Sequence, residues 1–163
     1  MNKVIHLYGE VNDNMYRMAV DGLSRCDKNH PIRVQLCTEG GDFYIGLAIY
    51  DLLKPYSPTI KCVGCVMSAG TIILQAAGKA VSAPSCQFMI HYGEDSNSSA
   101  GEAAHNRRML KLMVDMMMDK VKVTRRTVKS WFNKETYFGA KKALEVGLID
   151  EILDGTKKEN GIS

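Results

Sequence analysis

The stretch IKCVGCVMSAGT, residues 60–71, decides the fold. Ile60 through Val66 is an apolar run with the composition of a buried strand, and Met67-Ser68-Ala69-Gly70 breaks it abruptly. Ile72-Ile73-Leu74 then restarts a hydrophobic pattern, so a strand, a tight turn and a helix meet at one serine. A serine in such a turn presents its hydroxyl at the carboxyl end of the strand, beside the unpaired backbone N–H groups that open the helix. Ser68 is therefore a candidate nucleophile. The same position also suits a plain helix N-cap, so the rest of the chain must supply or withhold its partners.

Upstream, the pattern repeats. Val4-Ile5-His6-Leu7-Tyr8 reads as a short strand, Asn12-Asp13-Asn14 can cap a helix, and Met15, Met18, Ala19, Gly22, Leu23 and Cys26 fall at helical spacing. Asn29-His30-Pro31 breaks that helix. Ile32-Arg33-Val34-Gln35-Leu36 alternates as a strand and runs into Thr38-Glu39-Gly40-Gly41-Asp42, where paired glycines mean that the backbone needs room. Ile45, Ala48, Ile49 and Leu52 then place a helix from near Asp42 to before Pro55, a second strand-to-helix turn. Past the serine turn, a helix through Leu74 to Ala77 is closed by Gly78, and residues 80–83 and 88–91 read as short strands around Pro84-Ser85. Alternating strand and helix imply an α/β fold with a parallel sheet and right-handed crossovers.

The second half changes character. Residues 93–99 form a polar insertion, and residues 102–123 read as one long helix. Leu110, Met113, Val114, Met117 and Val121 make one stripe on it, with Met109, Leu112 and Met116 in a second stripe beside the first. That apolar arc is wider than one packing face needs, and methionine suits an adaptable interface, so the surplus is expected against another chain. A shorter helix over 125–132, a loop over 133–137 and a helix over 140–146 capped by Gly147 come next, and Leu148-Ile149 leads to Ile152-Leu153. Residues 1–153 are read as one domain and 154–163 as a polar tail.

Composition narrows the function classes. The 163 residues, 45% hydrophobic and 24% charged, suit one globular domain. Lys and Arg number 21 against 18 Asp and Glu, and this surplus of +3 is not gathered into a stripe, which argues against nucleic acid. Five cysteines, an odd number on or beside hydrophobic strands, suit reduced thiols in a cytoplasmic protein. Cys62-Val63-Gly64-Cys65 has the spacing of a redox or zinc pair, but three residues apart on a strand puts the two side chains on opposite faces. Neither metal nor cofactor is expected. No run approaches the roughly 18 apolar residues of a membrane span, and no signal-peptide core is present.

A nucleophilic serine needs a base within hydrogen-bond reach and, usually, a carboxylate to hold that base. His6 in the first strand, His30 in an Asn-His-Pro turn and His105 on the surface of the long helix read as structural or solvated. His91 ends the strand Phe88-Met89-Ile90 and so stands at the same sheet edge as Ser68. No aspartate lies between Asp119 and Asp150, which leaves Glu135, in the loop returning from the helical half, as the candidate acid. The two strand-to-helix turns offer two N–H groups for an anion hole, from the Gly40-Gly41 turn and from Ala69.

These residues resemble the proteolytic subunit of the Clp protease (ClpP), a cytosolic serine peptidase family of the crotonase-like superfamily. The resemblance runs over residues 4–153 and is carried by Gly40-Gly41 with Ile49-Tyr50-Asp51, by Met67-Ser68-Ala69-Gly70, by Phe88-Met89-Ile90-His91, and by Tyr137-Phe138-Gly139-Ala140 with Gly147-Leu148-Ile149-Asp150. It implies a crotonase/ClpP-like fold of repeated β-β-α units with a parallel sheet and a protruding handle helix. It also implies Ser68 as nucleophile, His91 as general base, Glu135 at the position of the family's aspartate, and Gly41 and Ala69 at the oxyanion hole. The implied activity is cleavage of unfolded polypeptides or short peptides, without a cofactor, inside a homo-oligomer of stacked seven-membered rings. The handle, about residues 92–123, would interlock two rings.

This chain departs from the family pattern in four places. Glu135 stands where aspartate is usual, Met67 precedes the serine where the family has methionine after it, and Tyr92-Gly93 replaces Gln-Pro. Little precedes the first strand of the segment that docks an AAA+ unfoldase in the family, so such a partner is expected to be dispensable or weakly engaged. Two other readings stay open: a catalytically weak ring-forming subunit serving assembly or interaction, and a crotonase-type acyl-CoA enzyme.

Overall fold

The computed structural model describes residues 3–93 and 99–153. In chain order it contains β1 (Val4–Tyr8), α1 (Asp13–Ser24), β2 (Arg33–Thr38), α2 (Phe43–Leu53), β3 (Thr59–Met67), α3 (Ala69–Leu74), β4 (Lys79–Ser82) and β5 (Gln87–Ile90). Beyond these lie α4 (Ala100–Met118), α5 (Arg125–Asn133), β6 (Thr136–Gly139), α6 (Ala140–Glu145) and β7 (Glu151–Ile152), with a single 3-10 turn, Lys54–Tyr56, between α2 and β3. Short polar side chains start the first two helices as the sequence implies. Asn12 accepts from the N–H groups of Asn14 and Met15, and Asp42 from those of Tyr44 and Ile45. Met15, Ala19 and Leu23, four residues apart, are the buried stripe of α1.

The sheet runs β1-β2-β3-β4-β7, all parallel, and it branches at β3. The first half of β3, Thr59 to Cys62, pairs with β4, and the second half, Cys65 to Met67, pairs with β5. Between them the register with β2 jumps from Leu36–Cys62 to Thr38–Val66, and Gly64 takes φ +64°. A bulge of this kind bends a strand and re-aims the residues beyond it. As a result the carboxyl ends of β2, β3 and β5 converge, bringing the Gly40-Gly41 turn, Ser68 and His91 to one edge. Leu7, Leu36, Ile60, Ile73, Phe88 and Ile90 fill the core beneath. Among the described residues, no helix is long and apolar enough to cross a membrane.

The structure corrects the sequence reading in two places. Thr136–Gly139, inside the stretch read as a loop and helix approach, is a strand paired antiparallel with β5, Phe88 opposite Phe138. Four residues ending in glycine carry too little alternation to announce it. The long helix spans Ala100–Met118 and not 102–123; it starts in a capping box of Ser99 and Glu102 and stops at Asp119, so Val121 lies beyond it. Within α4, Met113, Val114 and Met117 are buried in this chain's own core, with Leu110 and Met116 packed against it. The core and α5 take up part of the arc, and the second stripe stays half-buried at Met109 and Met116 and exposed at Leu112. The expectations for residues 94–98, within the polar insertion, and for the tail 154–163 lie outside the described residues.

Lys120, just past α4, donates to the Ala77 carbonyl in a crowded, half-buried setting. Burial first, and the Lys54 ammonium second, push it down to about 8 from 10.5. The folded chain thus releases this proton near pH 8, while the unfolded chain holds it to about 10.5. In that window the unfolded state binds more protons, so Lys120 makes stability rise with pH there. Lys120→Met should flatten that rise in urea-unfolding midpoints measured across the window. Parallel profiles for the two proteins would show that Lys120 ionises freely.

Candidate active site

Ser68 connects β3 to α3 with φ 51° and ψ −123°, a conformation that costs a non-glycine residue about 1–3 kcal/mol. It is held there from both sides: its N–H donates to the Met89 carbonyl at 2.9 Å, and its carbonyl accepts from the Thr71 N–H at 2.9 Å and the Thr71 hydroxyl at 2.7 Å. The hydroxyl makes no cap bond to α3. Instead Ser68 Oγ lies 2.8 Å from His91 Nε2. That contact is a consequence of the β3–β5 pairing, in which Met67 is opposite Met89, so the residues just past the two strand ends are neighbours.

The glycines opposite explain why the sequence has a pair. A Cβ on Gly40 would fall 2.6 Å from Ser68 Cβ, and one on Gly41 2.5 Å from the Val11 carbonyl oxygen. Val11 and Gly41 form an isolated parallel bridge in which the Val11 N–H donates to Gly40 and the Val11 carbonyl accepts from Asp42, both at 2.8 Å. That pattern turns the Gly41 N–H away from Val11. Among the described residues, no backbone carbonyl accepts from the N–H of Gly41 or of Ala69.

Gly41, Ser68, Ala69 and His91 line one cleft of about 320 Å³. Ile72, Met109, Met113 and Phe132 give it an apolar wall, and α4 lies along it. His105, read from the sequence as a surface residue, belongs to this wall, and its Nε2 is 2.6 Å from the Tyr44 hydroxyl. A signal for it existed: His105, Met109 and Met113 are spaced i, i+4, i+8 and share a helix face. Tyr92 also lines the cleft; its N–H donates to Phe132 at 2.9 Å and its hydroxyl to the Asn106 carbonyl at 3.1 Å.

Glu135 lies just before Thr136, which pairs with Ile90 of β5, so its backbone neighbours that of His91, but its carboxylate does not line the cleft. Its backbone is left-handed, φ 48°, its side chain is exposed, and its carboxylate accepts from the Tyr137 hydroxyl at 2.8 Å. That bond, and the carboxylate charge beside it, raise the Tyr137 phenol above its ordinary value. Among the described residues, His91 has one hydrogen bond, to Ser68. Gly41, Ser68, Ala69 and His91 thus share one cleft, while the Glu135 carboxylate, across the β5–β6 register from His91, is bonded to Tyr137. No group of three or more His, Cys, Asp or Glu among the described residues is arranged to hold a metal ion.

A serine hydroxyl on an imidazole, at the mouth of a strand-turn-helix and sharing a cleft with two residues whose N–H groups no described backbone carbonyl accepts from, is the kind of arrangement serine hydrolases use. The chain belongs to the Clp protease family, whose sequence model matches residues 1–156. It is 27% identical over 172 residues to the ATP-dependent Clp protease proteolytic subunit of Deinococcus radiodurans, covering 98% of this chain and 84% of that one. It is 30% identical over 166 residues to the protein of the same name from Borreliella afzelii, covering 93% and 83%. Among solved structures, ClpP1 from Listeria monocytogenes matches 93% of this chain and 91% of its own with a TM-score of 0.82 at 22% identity. A point mutant of it matches with a TM-score of 0.78 at 23% identity, over 94% and 92% of the two chains. At these identities the structural matches speak for the α/β fold.

Proposed function

We propose that this protein is a serine endopeptidase that cleaves unfolded polypeptides or short peptides through an acyl-enzyme. The observation that carries the reading is the 2.8 Å contact between Ser68 Oγ and His91 Nε2 at a strained turn. His91 Nε2 takes the hydroxyl proton as Ser68 Oγ attacks the peptide carbonyl carbon, and the oxyanion meets the N–H groups of Gly41 and Ala69. The imidazolium then gives its proton to the leaving amine, and water, activated by the same His91, releases the acyl group. The wall of Ile72, Met109, Met113 and Phe132 suits an apolar side chain beside the scissile bond. Assembly into a self-compartmentalising ring rests on the family, and an ATP-driven unfoldase partner on the relatives' name.

An active-site-directed fluorophosphonate should label one residue, Ser68, and His91→Ala should lose the label. Folded protein that stays unlabelled, or is labelled elsewhere, would sink the reading. The position of Glu135 yields a second expectation: Glu135→Ala should change kcat/KM for a short peptide by less than about tenfold, because its carboxylate is engaged with Tyr137 and not with His91. A drop near 10⁴-fold, the cost typical of losing a triad aspartate, would show that Glu135 reaches His91 during turnover.

A further inference from the structure

Four of the five cysteines, Cys37, Cys62, Cys65 and Cys86, gather around the bulge in β3. The register pairs Leu36 with Cys62 and Thr38 with Val66, so the single residue Cys37 lies opposite Val63, Gly64 and Cys65. Leu36, Cys62, Thr38 and Val66 are all buried on one face, whereas Cys37 and Cys65 are both half-buried on the other. The two thiols thus stand side by side on neighbouring strands. Gly64 leaves them the space: a Cβ there would lie 3.0 Å from Cys37 Sγ. Both cysteines line an open cavity of about 590 Å³, together with Glu10, Thr38 and Glu39. Cys86, just before β5, neighbours Gln87, which pairs with Cys65, but it is fully buried.

We propose that Cys37 and Cys65 form a modification site, a dithiol that hydrogen peroxide closes into a reversible cross-strand disulfide beneath the catalytic turns. One thiolate attacks a peroxide oxygen, giving a sulfenic acid and hydroxide, which takes a proton to become water. The second thiolate attacks the sulfenic sulfur and expels hydroxide, which takes up the proton that thiol gave up, so two thiols and one peroxide become one disulfide and two waters. Parallel neighbours lie about 4.8 Å apart, inside the Cα range of disulfides, but the Cβ atoms must close to about 3.8 Å. Burial first, and the Cys37 thiol next, raise the Cys65 thiol above its ordinary value.

Closure strains the site from behind. Cys37 precedes Thr38, whose hydroxyl accepts from the Gly40 N–H at 3.0 Å, and Gly40 abuts Ser68. Cys65 lies three residues before Ser68 on the same strand. Drawing the strands together therefore shifts the Gly41 N–H relative to Ser68 Oγ, and hydrolysis falls. This consequence rests on the peptidase reading of Ser68 and His91; the cross-link does not.

The test treats wild type, Cys37→Ser and Cys65→Ser with hydrogen peroxide, maps the cross-linked peptides by mass, and monitors peptide hydrolysis before and after dithiothreitol. The expected result is a Cys37–Cys65 link in wild type with a loss of two hydrogens and at least about a tenfold fall in hydrolysis that dithiothreitol reverses. Both serine variants should keep their activity under peroxide. Free thiols at both positions, or a Cys65–Cys86 link instead, would overturn the proposal, and a Cys37–Cys65 link with unchanged hydrolysis would overturn its effect on the site. Reduced wild type that hydrolyses nothing would instead refute the peptidase reading, while the peptide map still decides whether the pair closes.

Discussion

Ser68→Ala is expected to lower peptide hydrolysis by on the order of 10⁶-fold, the scale seen when a serine hydrolase loses its nucleophile. The substitution removes one oxygen and leaves the turn in place. Alanine at φ 51° is strained as serine is, and the bonds that impose the turn, from the Ser68 N–H to Met89 and from Thr71 to the Ser68 carbonyl, use the backbone of residue 68 and survive. The lost contact is one partly buried hydrogen bond to His91, so stability should change by only about 1 kcal/mol. A fluorogenic peptide assay beside urea unfolding separates the two effects. Cleavage that persists in the variant would remove Ser68 from the mechanism, and a loss of activity that tracks unfolding would remove the inference.

What made Ser68 legible was a local pattern: an apolar strand, a break at small residues and a restarting helix. His91 was legible by position, as the residue that ends a strand. Their contact was not, because it depends on β3 leaving β4 and taking up β5 at Gly64, a choice made by tertiary pairing. Gly40-Gly41 could be read as a need for room, though not that the room is for Ser68 Cβ on one side and Val11 on the other.

The acid shows the opposite case. In the sequence Glu135 stands out only as the acid in the loop returning from the helical half, which is a matter of chain order. Its direction is set by a left-handed backbone and by Tyr137 two residues on, neither of which sequence order contains. The methionine-rich stripes of α4 are legible only in part for a related reason. Periodicity measures how much apolar surface a helix offers, and the core, α5 and the cleft wall together take up more of it than one packing face would. His105 is hard to read because a lone histidine beside arginines looks solvated, although its spacing from Met109 and Met113 places it on the cleft face.

The turn opposite Ser68 sets the second large expectation, for Gly40→Ala. Its Cβ would lie 2.6 Å from Ser68 Cβ, 3.1 Å from the Met67 carbonyl oxygen and 3.2 Å from Ser68 Oγ. The first two belong to or hang directly on the backbone and cannot swing aside, and φ +110° is a conformation alanine rarely adopts. Strain of about 1–3 kcal/mol and overpacking of about 1–3 kcal/mol should together lower the unfolding free energy by roughly 2–6 kcal/mol. Hydrolysis should fall further than stability alone accounts for. The Cβ can be accommodated only by moving Ser68 away from the turn, and a displacement of about 1 Å at a reacting atom costs on the order of 10²-fold. Gly9→Ala separates the two contributions, since Gly9 also has positive φ, +96°, but nothing lies within 4 Å of its added Cβ. It should lose stability from backbone strain while keeping its hydrolysis rate. If Gly40→Ala matched Gly9→Ala in both unfolding and turnover, the clash with Ser68 would be absent in solution, and the close packing of the two turns would have no part in holding the nucleophile.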